Sequence, residues 1–237
     1  MPGSLVTRVI DAFSNARLTQ GTGLTEGGPG GEVLTHEEML QRPWASGRGA
    51  NPNGVYRIVD PDGNDVAEGE VGEMIIQSES MMKGYWNKPE ETAKTIRDGW
   101  LHTGDLAKRE SDGYMTLVDR MKDMIISGGK NIYSAEVENA VSGHPGVLDV
   151  AVVGDLHEVY RETVVAVIVP ADPENSPTLE SIREHAAQTL SKLKLPRKVL
   201  YRDIPRNPSG KILKHRLHDA VRSESAGGVS VLCESVL

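Results

Sequence analysis

The alternation of apolar and polar residues predicts short β-strands in the first half of the chain. Residues 55–59 form an apolar run that ends at Asp-Pro-Asp-Gly, which is a strong turn signal. Residues 73–77 and 113–118 predict two further strands. Before residue 50 the chain is rich in glycine, and there we expect only part of a helix at residues 9–13.

Two polar residues have the position of a helix N-cap. Asn87 is followed by Pro89 and two glutamates, which predicts a helix to about residue 97. Ser134 precedes a second apolar helix pattern, and Gly143 predicts where that helix stops.

The rest of the second half alternates strand-like and helix-like segments, which is typical of a compact α/β unit. Residues 124–126, 147–153 and 163–169 predict strands. Apolar residues spaced for one helix face predict two more helices, namely Leu179, Ile182, Ala186 and Leu190 for the first and Leu213, Leu217 and Val221 for the second.

Together these segments predict an α/β (α+β) protein. We place one domain at residues 1–119, a small α/β domain at 120–222 and a frayed tail at 223–237. The chain has 237 residues and a formal net charge of -8, which suits one or two globular domains. A single cysteine, Cys233, excludes an internal disulfide, and no apolar run is long enough to span a membrane. We therefore expect a cytoplasmic protein.

Basic residues concentrate between Lys192 and Arg216, where Asp203 alone opposes them. Such a cluster could bind nucleic acid, bind a small phosphorylated ligand, or be a solvated face. The chain as a whole is acidic and no aromatic stacking series accompanies the cluster. We therefore favour the last two interpretations and expect no nucleic-acid partner.

Two glycine-containing motifs carry groups that suit a nucleotide. In Thr-Gly-Leu-Thr-Glu, Gly23 lets the backbone approach an anion, the Thr25 hydroxyl can contact phosphate, and the Glu26 carboxylate can hold Mg²⁺. Asp105 follows Thr-Gly and can accept two hydrogen bonds from a ribose diol. Taken alone, the first motif is better explained as a glycine-rich surface loop, and Asp105 could be an N-cap or turn aspartate.

Two later motifs bring lysine and arginine next to turns. Arg120 and Lys122 lie at the predicted domain boundary, and Gly128 and Gly129 follow shortly after. Lys211 ends the run Pro-Ser-Gly-Lys, where proline and glycine constrain the loop. A lysine held in this way can stabilise developing negative charge, although a solvated turn would have the same composition.

These four motifs, in this order, resemble the adenylate-forming superfamily, and the resemblance is closest to fatty-acid and other acyl-CoA ligases. It extends from about residue 9 to residue 217. It implies the end of the large domain, with β-barrel-like strands, followed by the small α/β domain. It also implies a two-step reaction in which a carboxylic acid and ATP give an acyl-adenylate, and coenzyme A then displaces AMP.

The resemblance implies a role for each motif residue. Gly23 would lie at the nucleotide, Thr25 would contact phosphate, and Glu26 would hold Mg²⁺. Asp105 and Arg120 would bind the ribose hydroxyls.

The remaining carried-over roles belong to the small domain. Lys122 would be the hinge about which that domain rotates between the two half-reactions. Gly128 and Gly129 would approach the pantetheine arm of coenzyme A. Lys211 would bridge the carboxylate and the phosphate during adenylation.

The chain departs from the family pattern in three respects. No Ser/Thr/Gly-rich phosphate loop precedes residue 20, and most of the large domain is absent. Thr22 stands where relatives have a tyrosine, so the resemblance carries no adenine-stacking ring to this position. Arg161 stands where relatives usually have glycine.

We interpret the chain as the C-terminal portion of an acyl-CoA synthetase that is weak or inactive by itself. Its expected partners are a small-molecule carboxylic acid, ATP and coenzyme A, and a chain that supplies the missing N-terminal half is a further candidate. Two other interpretations stay open, namely a non-catalytic partner-binding remnant and a nucleotide-binding module without ligase chemistry.

Overall fold

The computed structural model describes residues 3–28, 31–49, 54–227 and 232–233. The chain divides into two compact units, Met1–Met121 and Lys122–Leu237. The boundary that we predict after residue 119 lies close to this division. No helix in the described part of the chain is long and apolar enough to cross a membrane.

The first unit consists mainly of antiparallel strands. Its elements are α1 (Gly3–Ala12), β1 (Gln20–Gly21), β2 (Glu32–Leu34), α2 (His36–Gln41), β3 (Arg48–Gly49), β4 (Val55–Val59), β5 (Gly72–Gln77), α3 (Pro89–Thr95), β6 (Ile96–Arg97), β7 (Trp100–Arg109) and β8 (Met115–Arg120). Strands β1, β2 and β3 form a small sheet. A larger sheet has the order β4-β5-β7-β6, with β8 also paired to β7.

The predicted turn after β4 forms as expected. The Asp60 carboxylate accepts hydrogen bonds from the amides of Asp62 and Asn64, each at 2.9 Å, and Gly63 has a positive φ of 84°. Across this turn only Val59 and Asp65 pair, in one isolated bridge. The main partner of strand β4 is β5.

Both helix caps that we predict from the sequence are wrong. Helix α3 begins at Pro89 with Lys88 at its N-cap, and Asn87 instead adopts a left-handed φ of 53°. The Thr92 hydroxyl ties this helix start together, since it donates to the Lys88 carbonyl at 2.8 Å and accepts from the Tyr85 amide at 2.9 Å.

The second unit is a sheet covered by helices on both faces. Its elements are β9 (Ile125–Ser127), β10 (Lys130–Ile132), α4 (Ser134–Ser142), β11 (Val147–His157), β12 (Arg161–Pro170), α5 (Leu179–Ala186), β13 (Lys198–Tyr201), α6 (Lys214–Gly227) and β14 (Leu232–Cys233). The strand order is β10-β9-β12-β13-β14, with β11 paired to β12. Strands β12 and β13 are parallel, and the other pairs are antiparallel.

Strands β11 and β12 are buried on both faces, which explains their nearly continuous valine-rich sequences. One face packs against α4 and α5 through a core that includes Val137, Ile182 and Val152. The opposite face packs against α6, where Leu217 and Val221 contact residues such as Val153. Apolar burial on two faces holds this unit together.

Ser134 is the first residue of α4 rather than its cap, since Tyr133 occupies the N-cap position. The Ser134 side chain is fully buried and accepts a hydrogen bond from the Lys214 ammonium at 2.6 Å. Past residue 222, where we expect a frayed tail, α6 continues to Gly227 and β14 pairs with β13. The other residues of that predicted tail lie outside the described ranges.

Arg161 begins β12 in a conformation that glycine adopts far more easily. Its φ is 70°, in the left-handed region, where a Cβ approaches the carbonyl oxygen too closely. This is the position at which we noted arginine in place of the glycine of relatives. The ladder with β11 and the pairing to Ser127 hold the residue in this strained conformation.

We predict that Arg161→Gly stabilises the protein by about 1 kcal/mol, because relief of left-handed strain exceeds the entropy that glycine adds to the unfolded chain. Urea denaturation followed by circular dichroism measures the change. Arg161→Ala is the matched control, since it removes the same charge but keeps the Cβ. Equal stability of the glycine and alanine variants would contradict the explanation.

Candidate functional site

Asp105 and Arg120 lie directly opposite each other on neighbouring antiparallel strands. They are Cα partners in the register of β7 with β8, and Arg120 Nε is 3.4 Å from Asp105 Oδ1. Both side chains retain solvent access, with 25% of Asp105 and 52% of Arg120 exposed. The pair therefore presents a carboxylate and a guanidinium together to an incoming ligand.

The backbone around Asp105 is fixed by hydrogen bonds to its own neighbours. The Thr103 hydroxyl donates to the Met74 carbonyl at 2.6 Å and accepts from the Asp105 amide at 3.0 Å. Gly104 turns the chain with a φ of 69°, and its amide donates to Glu73 Oε1 at 3.1 Å. These contacts explain why the motif needs threonine and glycine before its aspartate.

Glu73 connects this turn to a second charged group. Its Oε2 lies 2.7 Å from Nδ1 of His102 and 3.6 Å from the Arg97 guanidinium. Glu73 is only 11% exposed, and a buried carboxylate needs such partners: His102 and Arg97 contact one oxygen, and the Gly104 amide contacts the other. Our sequence analysis places Glu73 at the start of the strand predicted at residues 73–77 but does not identify it as a site residue.

A small recess lies beside Asp105 and is lined by the first glycine motif. Its cavity volume is about 40 Å³, room for only a few water molecules. The residues that line it are Thr22, Gly23, Leu24, Gly31, Glu32, Met74, Ile76, Asp105 and Leu117. The structure thus brings together Gly23 and Asp105, which our sequence analysis assigned to the same ligand, although 82 positions separate them in the chain.

Thr25 and Glu26 follow in a short 3₁₀ turn, Thr25–Gly27. Glu26 Oε1 accepts a hydrogen bond from the Tyr85 hydroxyl at 2.9 Å, and this bond to a carboxylate is the main reason why the pKa of Tyr85 is raised. The Met82 amide donates to the Glu26 carbonyl at 2.8 Å. Thr25 is exposed, so its hydroxyl is accessible from solvent.

Glu32 is a buried acid that the sequence did not reveal as part of the site. Its side chain is 1% exposed, and the Thr22 hydroxyl donates a short hydrogen bond to its Oε2. Burial, the largest effect, raises the pKa of this carboxyl; a backbone hydrogen bond partly offsets the rise, and the negative charge of Asp105 adds a smaller increase. No sequence signal marks Glu32, because it lies in the glycine-rich region before residue 50, where we predict no strand.

In the second unit, Lys211 lies on a compact hairpin turn. The Gly210 amide donates to the Asn207 carbonyl at 2.9 Å, the Lys211 amide donates to Asn207 Oδ1 at 2.9 Å, and Gly210 has a φ of 82°. Arg206 anchors the turn, since it donates to the Gly210 carbonyl at 2.8 Å and to Asp149 at 2.7 Å. The loop that carries Lys211 is therefore fixed, as its prolines and glycine predict.

Four members of the basic cluster in this unit form ion pairs with acidic residues of the same unit. Its ion pairs are Lys194 with Glu136, Lys198 with Asp155, Arg206 with Asp149 and Lys214 with Glu138. Lys211, like Lys192 and Arg216, is exposed and makes no side-chain hydrogen bond or ion pair with the described residues. The four ion pairs neutralise part of the basic segment, and the Lys211 ammonium is available to a ligand.

Gly128 and Gly129 form the two-residue turn between β9 and β10, with φ values of 55° and 74°. This is the geometry of a tight hairpin that glycine favours. The Gly128 amide donates to the Tyr160 carbonyl at 3.0 Å, whereas Gly129 has open space where a Cβ would point. Lys122 is exposed in the short 3₁₀ turn Met121–Asp123, at the division between the two units.

Two family models match the chain in the same order as its motifs. Residues 1–86 match the AMP-binding enzyme model, and residues 136–211 match the AMP-binding enzyme C-terminal domain model. The long-chain-fatty-acid–CoA ligase FadD13 of Mycobacterium tuberculosis is 40% identical over 222 residues, which is 92% of this chain and 42% of that protein. The chain therefore spans less than half the length of this relative.

Solved structures agree with these matches. The amide bond synthetase McbA of Marinactinospora thermotolerans has a TM-score of 0.84 and 34% identity, over 93% of this chain and 44% of McbA. The o-succinylbenzoate CoA synthetase MenE of Bacillus subtilis, solved with ATP and magnesium, has a TM-score of 0.81 and 29% identity, over 92% of this chain and 44% of MenE.

The matched models, the relatives and the fold all point to one class, the adenylate-forming enzymes. The chain belongs to the AMP-binding enzyme family, among relatives that are long-chain-fatty-acid–CoA ligases and related acyl-CoA ligases. Our prediction of this family and of its mixed α/β fold is confirmed.

We predict that Glu32→Gln makes the protein more stable than the wild type at pH 8 but not at pH 4. The pKa of Glu32 is higher in the folded protein than in the unfolded chain, where it is about 4.5. The contribution of Glu32 to folding stability is therefore fully present below pH 4.5 and is lost as the pH rises through the folded pKa. Glutamine stays neutral and avoids that loss, so the melting temperatures should separate with rising pH. Glu79→Gln, at an exposed site, should follow the wild type throughout; a constant gap for Glu32→Gln would contradict the argument.

Proposed function

We propose that the chain provides the ribose-binding wall and the adenylation lysine of an ATP-dependent acid–CoA ligase. The observation that carries this proposal is the Asp105–Arg120 pair beside the recess that Gly23 lines. A small-molecule carboxylic acid, ATP and coenzyme A would be the substrates, with Mg²⁺ accompanying ATP. Dependence on ATP and coenzyme A favours the cytoplasm as the location.

Asp105 would accept hydrogen bonds from the two ribose hydroxyls of the nucleotide. Its carboxylate is partly exposed and rigidly held, and hydrogen bonds to a charged acceptor are stronger than neutral ones. Arg120 would orient the Asp105 carboxylate, and it would donate to the ribose from the opposite strand. Gly23 lines the recess without a side chain, which leaves room for the ligand.

Thr25 and Glu26 fit the phosphate end of the nucleotide. Glu26 already gives one oxygen to Tyr85, which orients the carboxylate and leaves its other oxygen for a cation. Mg²⁺ in phosphate-transfer sites typically takes one or two protein carboxylates together with substrate phosphates, so this single carboxylate is a sufficient donor set. The Thr25 hydroxyl would donate to a phosphate oxygen. When bound, Mg²⁺ would neutralise phosphate charge.

Lys211 would act on the first half-reaction. There a carboxylate oxygen bonds to the α-phosphorus of ATP while the bond from that phosphorus to the pyrophosphate oxygen breaks. Negative charge gathers between two anions in this step, and a preorganised cation stabilises it. The unpaired, exposed ammonium of Lys211 on a fixed hairpin supports this role.

The second half-reaction would use a different surface of the small unit. The sulfur of coenzyme A bonds to the acyl carbon, and AMP leaves with the electrons of the acyl–phosphate bond. The open side of Gly129 supports a close approach by the pantetheine arm. We propose Lys122 as the hinge because it lies at the division between two compact units.

A second candidate function is a non-catalytic remnant that binds a nucleotide or a partner chain. Residues 1–237 span 42% of the relative FadD13. We propose that these residues are weak or inactive by themselves, and that a chain supplying the remaining part of the ligase is a candidate partner.

We predict that the pure chain releases little pyrophosphate with any acid, and that a fusion to the N-terminal portion of a relative restores release. In that fusion, Lys211→Ala should slow acid-dependent pyrophosphate release about 10²–10³-fold, because one preorganised donor to the transition-state charge is lost. Thioester formation from supplied acyl-adenylate and coenzyme A should stay close to the unmodified rate.

Lys192→Ala, in the same basic segment and exposed, is the matched control and should leave both half-reactions unchanged. If Lys211→Ala slows both half-reactions equally, Lys211 is not specific to adenylation. Robust acid-dependent release by the chain alone would instead show that the missing portion is not needed.

A further inference from the structure

The carboxylate of Glu26 has a neutral phenol as its side-chain partner. The Tyr85 hydroxyl donates to Glu26 Oε1 at 2.9 Å. Within the described residues, Glu26 Oε2 makes no hydrogen bond, and no lysine, arginine or histidine forms an ion pair with either oxygen. Glu26 is half-buried, and charged groups that are withdrawn from water are usually paired or coordinate a metal ion. Oε2 is therefore the oxygen left for a cation.

The start of α3 holds the backbone of Tyr85 in place. The Tyr85 amide donates to the Thr92 hydroxyl at 2.9 Å, and that hydroxyl donates to the Lys88 carbonyl at 2.8 Å. Gly84, with a φ of 150°, packs so closely that a Cβ there would lie 2.8 Å from Cγ2 of Thr92. A tyrosine with a fixed backbone has few side-chain torsions left, so its hydroxyl has a well-defined position.

The segment that precedes Tyr85 also holds the turn that carries Glu26. The Met82 amide donates to the Glu26 carbonyl at 2.8 Å, and the Ser80 hydroxyl donates to the Gly27 carbonyl at 3.3 Å. A Cβ at Gly28, whose φ is 74°, would lie 2.3 Å from the Ser80 carbonyl oxygen. One stretch of chain therefore fixes both the backbone of the Glu26 turn and the side chain of Glu26.

A phenol is well suited to prepare a carboxylate for a cation. A glutamate side chain without a partner samples several rotamers, and a bound cation would have to restrict it to one. The hydrogen bond from Tyr85 removes this freedom in advance. A lysine or arginine in the same place would also cancel the negative charge that attracts the cation, whereas a neutral hydroxyl leaves that charge in place. Hydrogen bonds of this kind to a metal ligand typically contribute about 10–100-fold to metal affinity.

We infer that Tyr85 is a positioning residue that holds Glu26 in the orientation in which Oε2 binds the Mg²⁺ that accompanies ATP. This inference rests on the proposed nucleotide site. Tyr85 acts through Glu26 and does not itself contact the cation. Its effect is therefore confined to the part of nucleotide binding that depends on Mg²⁺, and recognition of the ribose does not require it.

Calorimetric titration of the whole chain with AMP, and with ATP in the presence and absence of Mg²⁺, tests the inference. Mg²⁺ should tighten the binding of ATP by the wild type. Tyr85→Phe should weaken the binding of ATP with Mg²⁺ about tenfold or more, while its affinities for AMP and for ATP without Mg²⁺ stay at the wild-type level. Tyr114→Phe is the matched control, because it removes a phenol that donates to the Glu38 carboxylate in the same unit, and it should bind ATP with Mg²⁺ as the wild type does.

A double-mutant cycle shows whether Tyr85 acts through Glu26. Glu26→Gln should abolish the gain in ATP affinity that Mg²⁺ provides, and adding Tyr85→Phe to it should change nothing further. A full gain in Tyr85→Phe, an equal loss of its AMP affinity, or a further loss in the double variant would overturn this inference alone. A wild type that binds AMP but gains nothing from Mg²⁺ would overturn the role of Glu26 together with this inference. Failure of the wild type to bind AMP at all would overturn the proposed nucleotide site as well.

Discussion

The register between β7 and β8 is the constraint on which the candidate nucleotide site depends. It sets Asp105 across from Arg120, and a shift by one residue would turn the two side chains to opposite faces. Two groups on the neighbouring strand β5 hold the turn before Asp105, since Glu73 accepts from the Gly104 amide and the Met74 carbonyl accepts from the Thr103 hydroxyl. The Asp105–Arg120 pair is therefore built on paired strands, which favours precise positioning of a ligand.

Glu32 and Arg161 are among the residues whose surroundings or backbone conformation are unfavourable for their side chains. Glu32 buries a carboxyl, and Arg161 adopts a left-handed φ without being glycine. Only the first lies at the candidate site, so the two exceptions have different meanings. Glu32 lies beside Asp105, whose charge adds to the rise in the pKa of the buried carboxyl, whereas Arg161 contacts no residue that we assign to the chemistry.

Much of the fold follows from the sequence pattern. The strands at residues 55–59 and 163–169 and the helix face of Ile182 were predictable because burial on one or both faces leaves a clear apolar period. The starts of two helices were not predictable. Asn87 and Ser134 are residue types that often cap helices, but tertiary contacts decide where a helix begins.

From the sequence, only those site residues that lie in recognisable motifs could be predicted. Asp105, Arg120 and Lys211 lie in motifs that resemble a known family. Glu32 and Glu73 have no such mark, because their importance comes from partners far away in the chain, such as Asp105 and Gly104. A single sequence does not encode those pairings in any local pattern.

The most direct test of the central claim is whether Asp105 recognises a ribose diol. Titration calorimetry would compare AMP with an analogue that lacks both ribose hydroxyls, for the wild type and for Asp105→Asn. We predict that the wild type prefers AMP by at least about tenfold, because hydrogen bonds to a carboxylate are lost with the hydroxyls, and that Asp105→Asn loses most of this preference. An Asp105→Asn variant that keeps the full preference for AMP would contradict the account.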